Sequence, residues 1–362
     1  MSLILSYESK STLTADVFGP VGSEHRSMFQ GLKELRSAPS RTALITLTVA
    51  MITVMVTFLA SLAAGLKYQS VSALQERLGE NQVLVLEDSG TASLSSSRLS
   101  ESQIDTLRED YGASLLVVAR QRVDSTPVSV FSSPDAPHGV AQVPSEFEDD
   151  ALAKAFGTPG RITLGGSDFQ VERPDRDLYF DHQPVIFVSD ADVGSLPANS
   201  LAAVVDADAI EAEGGAPEGT VALSGDDRWN ASASYTGEQL SLNLMINLLY
   251  VISALVLGAF FMVWTIQRLR GVAISSALGA SRRVLITDSL GQAVVVLAGG
   301  ILGGLAVTGG VGMALADTLP IDLTASTMLQ PAGILLLAGL AGSALSLRPV
   351  LKVSPREAMA AA

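Results

Sequence analysis

The chain contains no cysteine. Disulfides, thiolate nucleophiles and Cys-ligated zinc or iron–sulfur centres are therefore excluded. Three histidines, His25, His138 and His182, leave little material for a metalloenzyme. Charged residues are scarce too: 17% of 362 positions, where a soluble globular chain carries about 25%. No phosphate-cradling loop of the form G-x-x-x-x-G-K followed by Ser or Thr occurs, so the chain has no means of hydrolysing ATP alone. What is abundant is apolar: 48% hydrophobic residues and a mean hydropathy of +0.37.

Charge is also lopsided. From Tyr68 to Glu238, 10 Lys and Arg stand against 29 Asp and Glu, a net of −19, while the remainder is net +5. So acidic a segment argues against nucleic acid, whose phosphates demand Lys and Arg. Four apolar stretches approach or exceed the roughly 20 residues that cross a bilayer: 43–66, 240–266, 284–316 and 329–348. The first is too long, and lacks an evident small-residue cleavage site, to be a signal peptide. Asp288 near the start of the third fits a helix that tilts or projects from the membrane.

Basic residues predict the orientation. Lys10, Arg26, Lys33, Arg36 and Arg41 precede the first span. Arg268, Arg270, Arg282 and Arg283 sit between the second and third with no acid among them, and Arg348, Lys352 and Arg356 follow the fourth. Both termini and the 267–283 loop are thus expected in the cytoplasm of a cell bounded by this inner membrane. The 67–239 domain and the 317–328 loop are expected outside.

The predicted fold is an α-helical membrane protein with four transmembrane helices and a mixed α/β extracytoplasmic domain between the first and second. Strand-like runs are Val83–Leu86, Leu115–Val118, Val128–Phe131, Pro184–Val188 and Leu201–Val205. A helix is expected over Glu101–Tyr111, opened by Ser100 with Gln103 at the capping position, and another over the acidic 145–156 stretch. The run Glu146, Glu148, Asp149, Asp150 has neither the spacing nor the turn glycine of a calcium loop and reads as a solvated face. Asn230-Ala231-Ser232 fits a glycosylation sequon, a triplet common by chance.

Two cytoplasmic elements invite a mechanism. In 28–42, Met28, Leu32 and Leu35 recur on one helical face with Lys33, Glu34 and Arg36 opposite, an amphipathic helix suited to the membrane interface. Pro39 would let it turn into the membrane plane. In 267–283, Val272 to Leu278 can form a short two-turn helix, carrying Ile274 and closed by Gly279. Such a ball between two spans suits a partner's socket.

Three stretches resemble the MacB/FtsX-type ABC transporter permeases: Leu257–Arg283, the glycine-rich Leu290–Val307, and Pro349–Met359. Within that group Met28–Leu47, Ser61–Leu74 and Tyr235–Phe261 are most similar to the Hrt-type haem-efflux permeases and the related DevC-type permeases. The resemblance implies the permease subunit of a type VII ABC exporter. It implies a homodimer working with two copies of a separate ATPase, which would hold ATP and Mg. It also implies that the 267–283 loop is the coupling helix, with Arg268, Arg270, Val272, Ile274, Leu278, Gly279, Arg282 and Arg283 at the ATPase contact. One departure is that Gly271–Ile274 stands where many members carry an acid. Residues 1–27 fall outside the likeness, so Met28 is an alternative start or follows a dispensable extension. The tail 349–362 is cytoplasmic on this plan.

Small residues four apart in the third span (Gly299, Gly300, Gly303, Gly304) and in the fourth (Ala338, Gly342) suit close helix packing inside the protomer. That leaves the first two spans for a dimer partner, as the resemblance also implies. Those spans hold no charge, only Thr, Ser, Asn, Met51, Met55, Met245 and Tyr250. Tyr68 and Tyr235 flank the domain at the outer interface, where an aromatic belt is the ordinary account. A sharper expectation follows the resemblance: haem, entering from the outer leaflet, meets Tyr235, Tyr68, Glu238, Met55, Met245 and Tyr250. Phenolate, carboxylate and thioether all ligate haem iron. Two alternatives remain open at this stage: export of another amphiphile (a glycolipid or a peptide antibiotic), and an FtsX-like transmembrane signal transducer that transports nothing. No resident cofactor and no resident metal are expected.

Overall fold

The computed structural model describes residues 39–347, apart from 124, 150–151, 153–158, 197–198, 278–281 and 317. The chain opens with α1 (Pro39–Arg77), then β1 (Gln82–Glu87), α2 (Glu101–Glu109), β2 (Ser114–Val123), β3 (Thr126–Ser133) and β4 (Val140–Gln142). It continues through β5 (Arg161–Leu164), β6 (Ser167–Glu172), β7 (Tyr179–Phe180), β8 (Gln183–Ser189), β9 (Ser200–Asp206), α3 (Ala207–Ala212) and β10 (Thr220–Leu223). The long helices α4 (Ala233–Ala277), α5 (Arg282–Leu315) and α6 (Ala325–Ser346) complete it. Among the described residues four helices, α1, α4, α5 and α6, are long and apolar enough to cross a membrane. The sheet domain lies between the first and second of them, as the sequence predicts. Residues 28–38 of the expected interface helix lie outside the described residues.

Two boundaries differ from the hydropathy reading. α1 does not stop near Leu66 but runs to Arg77, and α4 starts at Ala233, ahead of the apolar run. The 66–77 stretch holds no proline or glycine to break a helix, and Val71, Ala73 and Leu74 there are buried against the sheet. On the other side, α4 continues unbroken through Gln267 to Ala277, so this part of the expected two-turn helix is the end of a 45-residue helix. Its Arg-Leu-Arg sequence is helix-forming, and Gly271 is a tolerated interruption.

The sheet has the order β10-β1-β9-β2-β3-β8-β4-β6-β5, with β7 paired to β8. Most neighbours are antiparallel, while β3–β8 and β4–β6 are parallel. Successive side chains of a strand point to opposite faces, and the central strands are covered on both. In β1, Leu84 and Leu86 join Leu74 and Leu78 from α1 and its end, while Val83 and Val85 join Leu107 of α2. β9 divides in the same way, Ala202 and Val204 against Ala203 and Val205. A third cluster around Val128, Val130, Ile162, Phe169, Ile186 and Val188 fills the far end of the sheet. α2 carries the expected cap: Ser100 accepts from the Gln103 N–H, and Gln103 reaches back to Ser100. Of the expected acidic helix over 145–156, residues 145–148 form a turn instead, 149 and 152 are helical, and 150–151 and 153–156 lie outside the described residues.

The described residues divide into two compact units. The first takes the described parts of Met1–Ala50, Ala254–Leu302 and Leu336–Ala362. Small residues let its helices touch: a Cβ on Gly300 of α5 would lie 2.6 Å from Val49 of α1, and one on Gly342 of α6 would lie 3.0 Å from Gly258 of α4. These positions therefore serve packing within the protomer. The second unit, Met51–Ser253 with Gly303–Leu335, holds the sheet domain and the adjoining helix segments. There Thr57 of α1 and Thr308 of α5 hydrogen-bond at 2.8 Å, both fully buried.

Candidate functional site

Three elements of the second unit meet where α1 and α4 enter the sheet domain. The hairpin linking β7 to β8 turns on two residues, Asp181 and His182, with Phe180 and Gln183 paired across it. Both turn residues have positive φ, 49° and 61°, the requirement of the tight turn that matches strand twist. Neither is glycine, so surrounding bonds hold the strained conformation. The Asp181 and His182 N–H groups donate to the Ser70 and Gln69 carbonyls of α1 at 3.1 and 3.0 Å. The Asp181 carboxylate accepts from Ser232 Oγ (2.6 Å), from the Ser234 N–H and hydroxyl (3.1 and 3.0 Å), and from Ser95 Oγ (3.2 Å). Ser232 in turn accepts from the Tyr235 N–H, capping α4. The serine of the sequon is thus fully buried and already bonded.

His182 extends the same clasp. Its Nε2 lies 2.8 Å from Glu238 Oε1, and its Nδ1 lies 3.3 Å from Gln69 Oε1. An ionised carboxylate only accepts, so Nε2 carries the proton in that pair. Glu238 Oε2 is buried and has no hydrogen-bond partner. One turn earlier on α4, the Tyr235 ring packs against the sheet core, with Lys67 Nζ 5.8 Å from its centroid. Among the described residues the Tyr235 hydroxyl has no hydrogen-bond partner.

Tyr68 is placed differently. Its hydroxyl donates to the Asp177 carbonyl at 2.7 Å, and its ring meets Tyr179 edge to face at 6.3 Å. Burial pushes the Tyr179 hydroxyl up to about 12, helped by the charges of Glu146 and Asp177. Glu146 is itself raised, first by burial and then by Asp177. Met55 and Met245 lie on exposed helix surfaces, 56% and 55% exposed, and Tyr250 is half-buried. Of the six expected cargo residues, then, Tyr235 and Glu238 share the junction with His182, Gln69 and Lys67. Tyr68 turns to the Asp177–Tyr179 segment, and the methionines lie on the helix exteriors.

Arg268, Arg270, Val272 and Ile274 lie on the last turns of α4, and Arg282 and Arg283 open α5. Leu278 and Gly279 lie outside the described residues. Among the described residues no group of three or more His, Asp or Glu side chains is placed to hold a metal ion.

Sequence reasoning missed His182, Gln69 and Lys67. His182 stands 56 positions from Glu238, and an Asp-His turn lacks the glycine that signals a two-residue hairpin.

No family model matches the chain. A curated protein of Staphylococcus haemolyticus, "Putative hemin transport system permease protein HrtB", is 27% identical over 352 residues, covering 90% of this chain and 97% of that protein. Two Staphylococcus epidermidis proteins of the same name match shorter stretches. One is 30% identical over 39% of this chain and 41% of its own length, the other 32% over 35% and 36%. With four membrane-crossing helices and a sheet domain between the first two, this integral membrane protein resembles the Hrt-type ABC transporter permeases along nearly its whole length.

Proposed function

We propose that the chain is the permease subunit of a type VII ABC exporter whose cargo is haem, taken from the outer leaflet. The observation that carries this reading is the near full-length likeness to a protein named for hemin transport, in a chain that places tyrosine, carboxylate and imidazole at one junction. In this reading the sheet domain lies outside the cell and both termini lie in the cytoplasm, a placement that the basic residues flanking the spans support. Two copies of an ATPase, holding ATP and Mg, dock on the cytoplasmic side at the arginine-rich ends of α4 and α5.

Two permease copies pair through α1 and α4. Exposed Leu44, Leu47, Met51 and Met55 on α1 support such a pairing, as do Asn243, Met245 and Asn247 on α4. Amide side chains facing lipid lack partners, and a second protomer or a cargo between the two supplies them. Haem is flat and apolar with two carboxylates, so it partitions into the leaflet and enters sideways. Lys67 supplies a cation for a propionate, Tyr235 a phenol without a competing bond, and the methionines an adaptable apolar wall. Closure of the dimer on ATP binding then expels the cargo by alternating two packings of one interface.

The test is a haemin titration of the purified permease in detergent, comparing wild type with Tyr235→Phe, Tyr68→Phe and the double variant. A saturable change in the haem absorption band, weakened more by Tyr235→Phe than by Tyr68→Phe, is expected. Only the featureless spectrum of detergent-dissolved haem would sink the cargo assignment. The search would then move to other amphiphiles or to a protein bound by the sheet domain.

A further inference from the structure

We infer that the sheet domain carries a binding site for a small zwitterion of the amino-acid class, its carboxylate on Arg77 and its ammonium among the acids at the mouth. The site is separate from the junction at His182, and the inference does not depend on what the permease exports.

Arg77 is the last residue of α1. It is almost wholly buried, 8% exposed, yet its guanidinium is poorly satisfied there. One terminal nitrogen donates to Ser114 Oγ of β2 at 3.1 Å, while Nε is buried with no hydrogen-bond partner. Among the described residues no carboxylate comes within ion-pair distance of it, and Asp135 and Asp190 act on it only from farther away. A buried charge without a counter-ion is costly, and a buried donor without an acceptor adds to that cost. Arg228 makes the contrast: it is 7% exposed and donates to the carbonyls of Gly225, Gly79 and Gln82.

Arg77 lines a cavity of about 260 Å³ bounded by the end of α1, the turn after β3, β8 and the 174–178 segment. Pockets for drug-sized ligands begin at about 300 Å³, so the occupant is smaller than those. The lining sorts by burial. Inside, Arg77 stands with buried Phe187 and half-buried Leu178. At the mouth, Glu76, Asp135, Asp175 and Arg176 are exposed, three carboxylates against one guanidinium. A simple anion would meet those acids on its way in, and a simple cation would meet Arg77 at the end. A ligand carrying both charges suits both ends. Its carboxylate makes charge-assisted hydrogen bonds to Arg77, its ammonium faces the mouth, and a short apolar side chain lies on Leu178 and Phe187.

The probe is L-leucine, titrated by calorimetry into the full-length permease in an uncharged detergent. Two analogues, 4-methylpentanoate and 3-methylbutylamine, keep one charge each. Saturable leucine binding is expected, with each analogue weaker by about tenfold or more, the factor that one lost charged hydrogen bond carries. Arg77→Gln, which keeps a polar side chain without the charge, should abolish leucine binding. If that variant fails to fold, the double variant Asp135→Asn with Asp175→Asn, both exposed, reads the site from its mouth. It should weaken leucine severalfold and leave 4-methylpentanoate no weaker than in wild type. Equal binding of leucine and 4-methylpentanoate overturns the inference, since the site would then read the anion alone. No saturable leucine binding at millimolar concentration, or binding unchanged in a folded Arg77→Gln, overturns it as well. Haemin binding is measured separately, so the haem reading stands or falls on its own titration.

Discussion

Gly65 of α1 lies so close to Pro320 that a Cβ at Gly65 would sit 1.8 Å from the Pro320 carbonyl oxygen. The neighbouring Asp322 N–H donates to the Ser61 carbonyl at 3.0 Å. Here the connection between α5 and α6 is pressed directly onto the first span.

Gly65→Ala is therefore expected to destabilise the permease. The atom in the way is backbone, so relief requires moving the α5–α6 connection rather than rotating a side chain. Forced overpacking costs about 1–3 kcal/mol. A melting curve of the detergent-solubilised variant should shift down, whereas Gly310→Ala, with open space around it, should melt like wild type. Equal melting of the two variants would show that the contact yields freely.

Asp181 offers a second test, because one carboxylate organises the hairpin, the α4 cap and the loop at Ser95. Asp181→Ala removes those acceptors and leaves a side chain that tolerates positive φ poorly. Hydrogen bonds to a charged group contribute about 1.5–3 kcal/mol. A loss of that order is expected in thermal unfolding, together with faster proteolysis near residues 225–235. Asp181→Asn, which keeps one acceptor oxygen and the turn preference, should lie between Ala and wild type. An Asp181→Ala protein as stable and as protease-resistant as wild type would remove the clasp.

The Glu146–Tyr179 pair sets a pH dependence. Both groups bind their proton more tightly in the folded chain, Tyr179 up to about 12 and Glu146 above its usual carboxylate value. A raised acid stabilises the fold fully below its unfolded pKa, and that contribution is lost as pH rises through the folded value. For Tyr179 the window is about pH 10 to 12. For Glu146 it begins near pH 4.5 and extends upward. Tyr179→Phe should flatten the alkaline fall in stability, and Glu146→Gln should gain stability relative to wild type at neutral pH. Denaturant midpoints measured across pH check both. Parallel wild-type and variant profiles would contradict the assignment.

Much of the fold was legible because its signals are local. β1 and β9 are buried on both faces, so they appear as unbroken apolar runs, and Ser100 with Gln103 announces α2 three residues apart. The β5–β6 hairpin carries a glycine signal at its turn: Gly165 and Gly166, at φ 59° and 91°, form the two turn residues between Leu164 and Ser167. Helix ends proved harder. Lys67 marks the edge of the apolar run in α1, yet Val71 and Leu74 beyond it exchange lipid for sheet, which hydropathy alone does not distinguish. The junction was half visible. Tyr235 and Glu238 stand out by their place beside a span, whereas His182 joins them through strand pairing that brings β8 alongside β3 and across to both helix entries.

α1 runs without a break to Arg77, and its Val71 and Leu74 share a core with the sheet strands, so this end of the helix and the sheet form one packed body. From Leu66 to Arg77 that helix rises roughly 16 Å. A pair of labels, one on residues 66–77 of α1 and one on the sheet, should therefore keep a fixed separation for as long as the sheet domain stays folded.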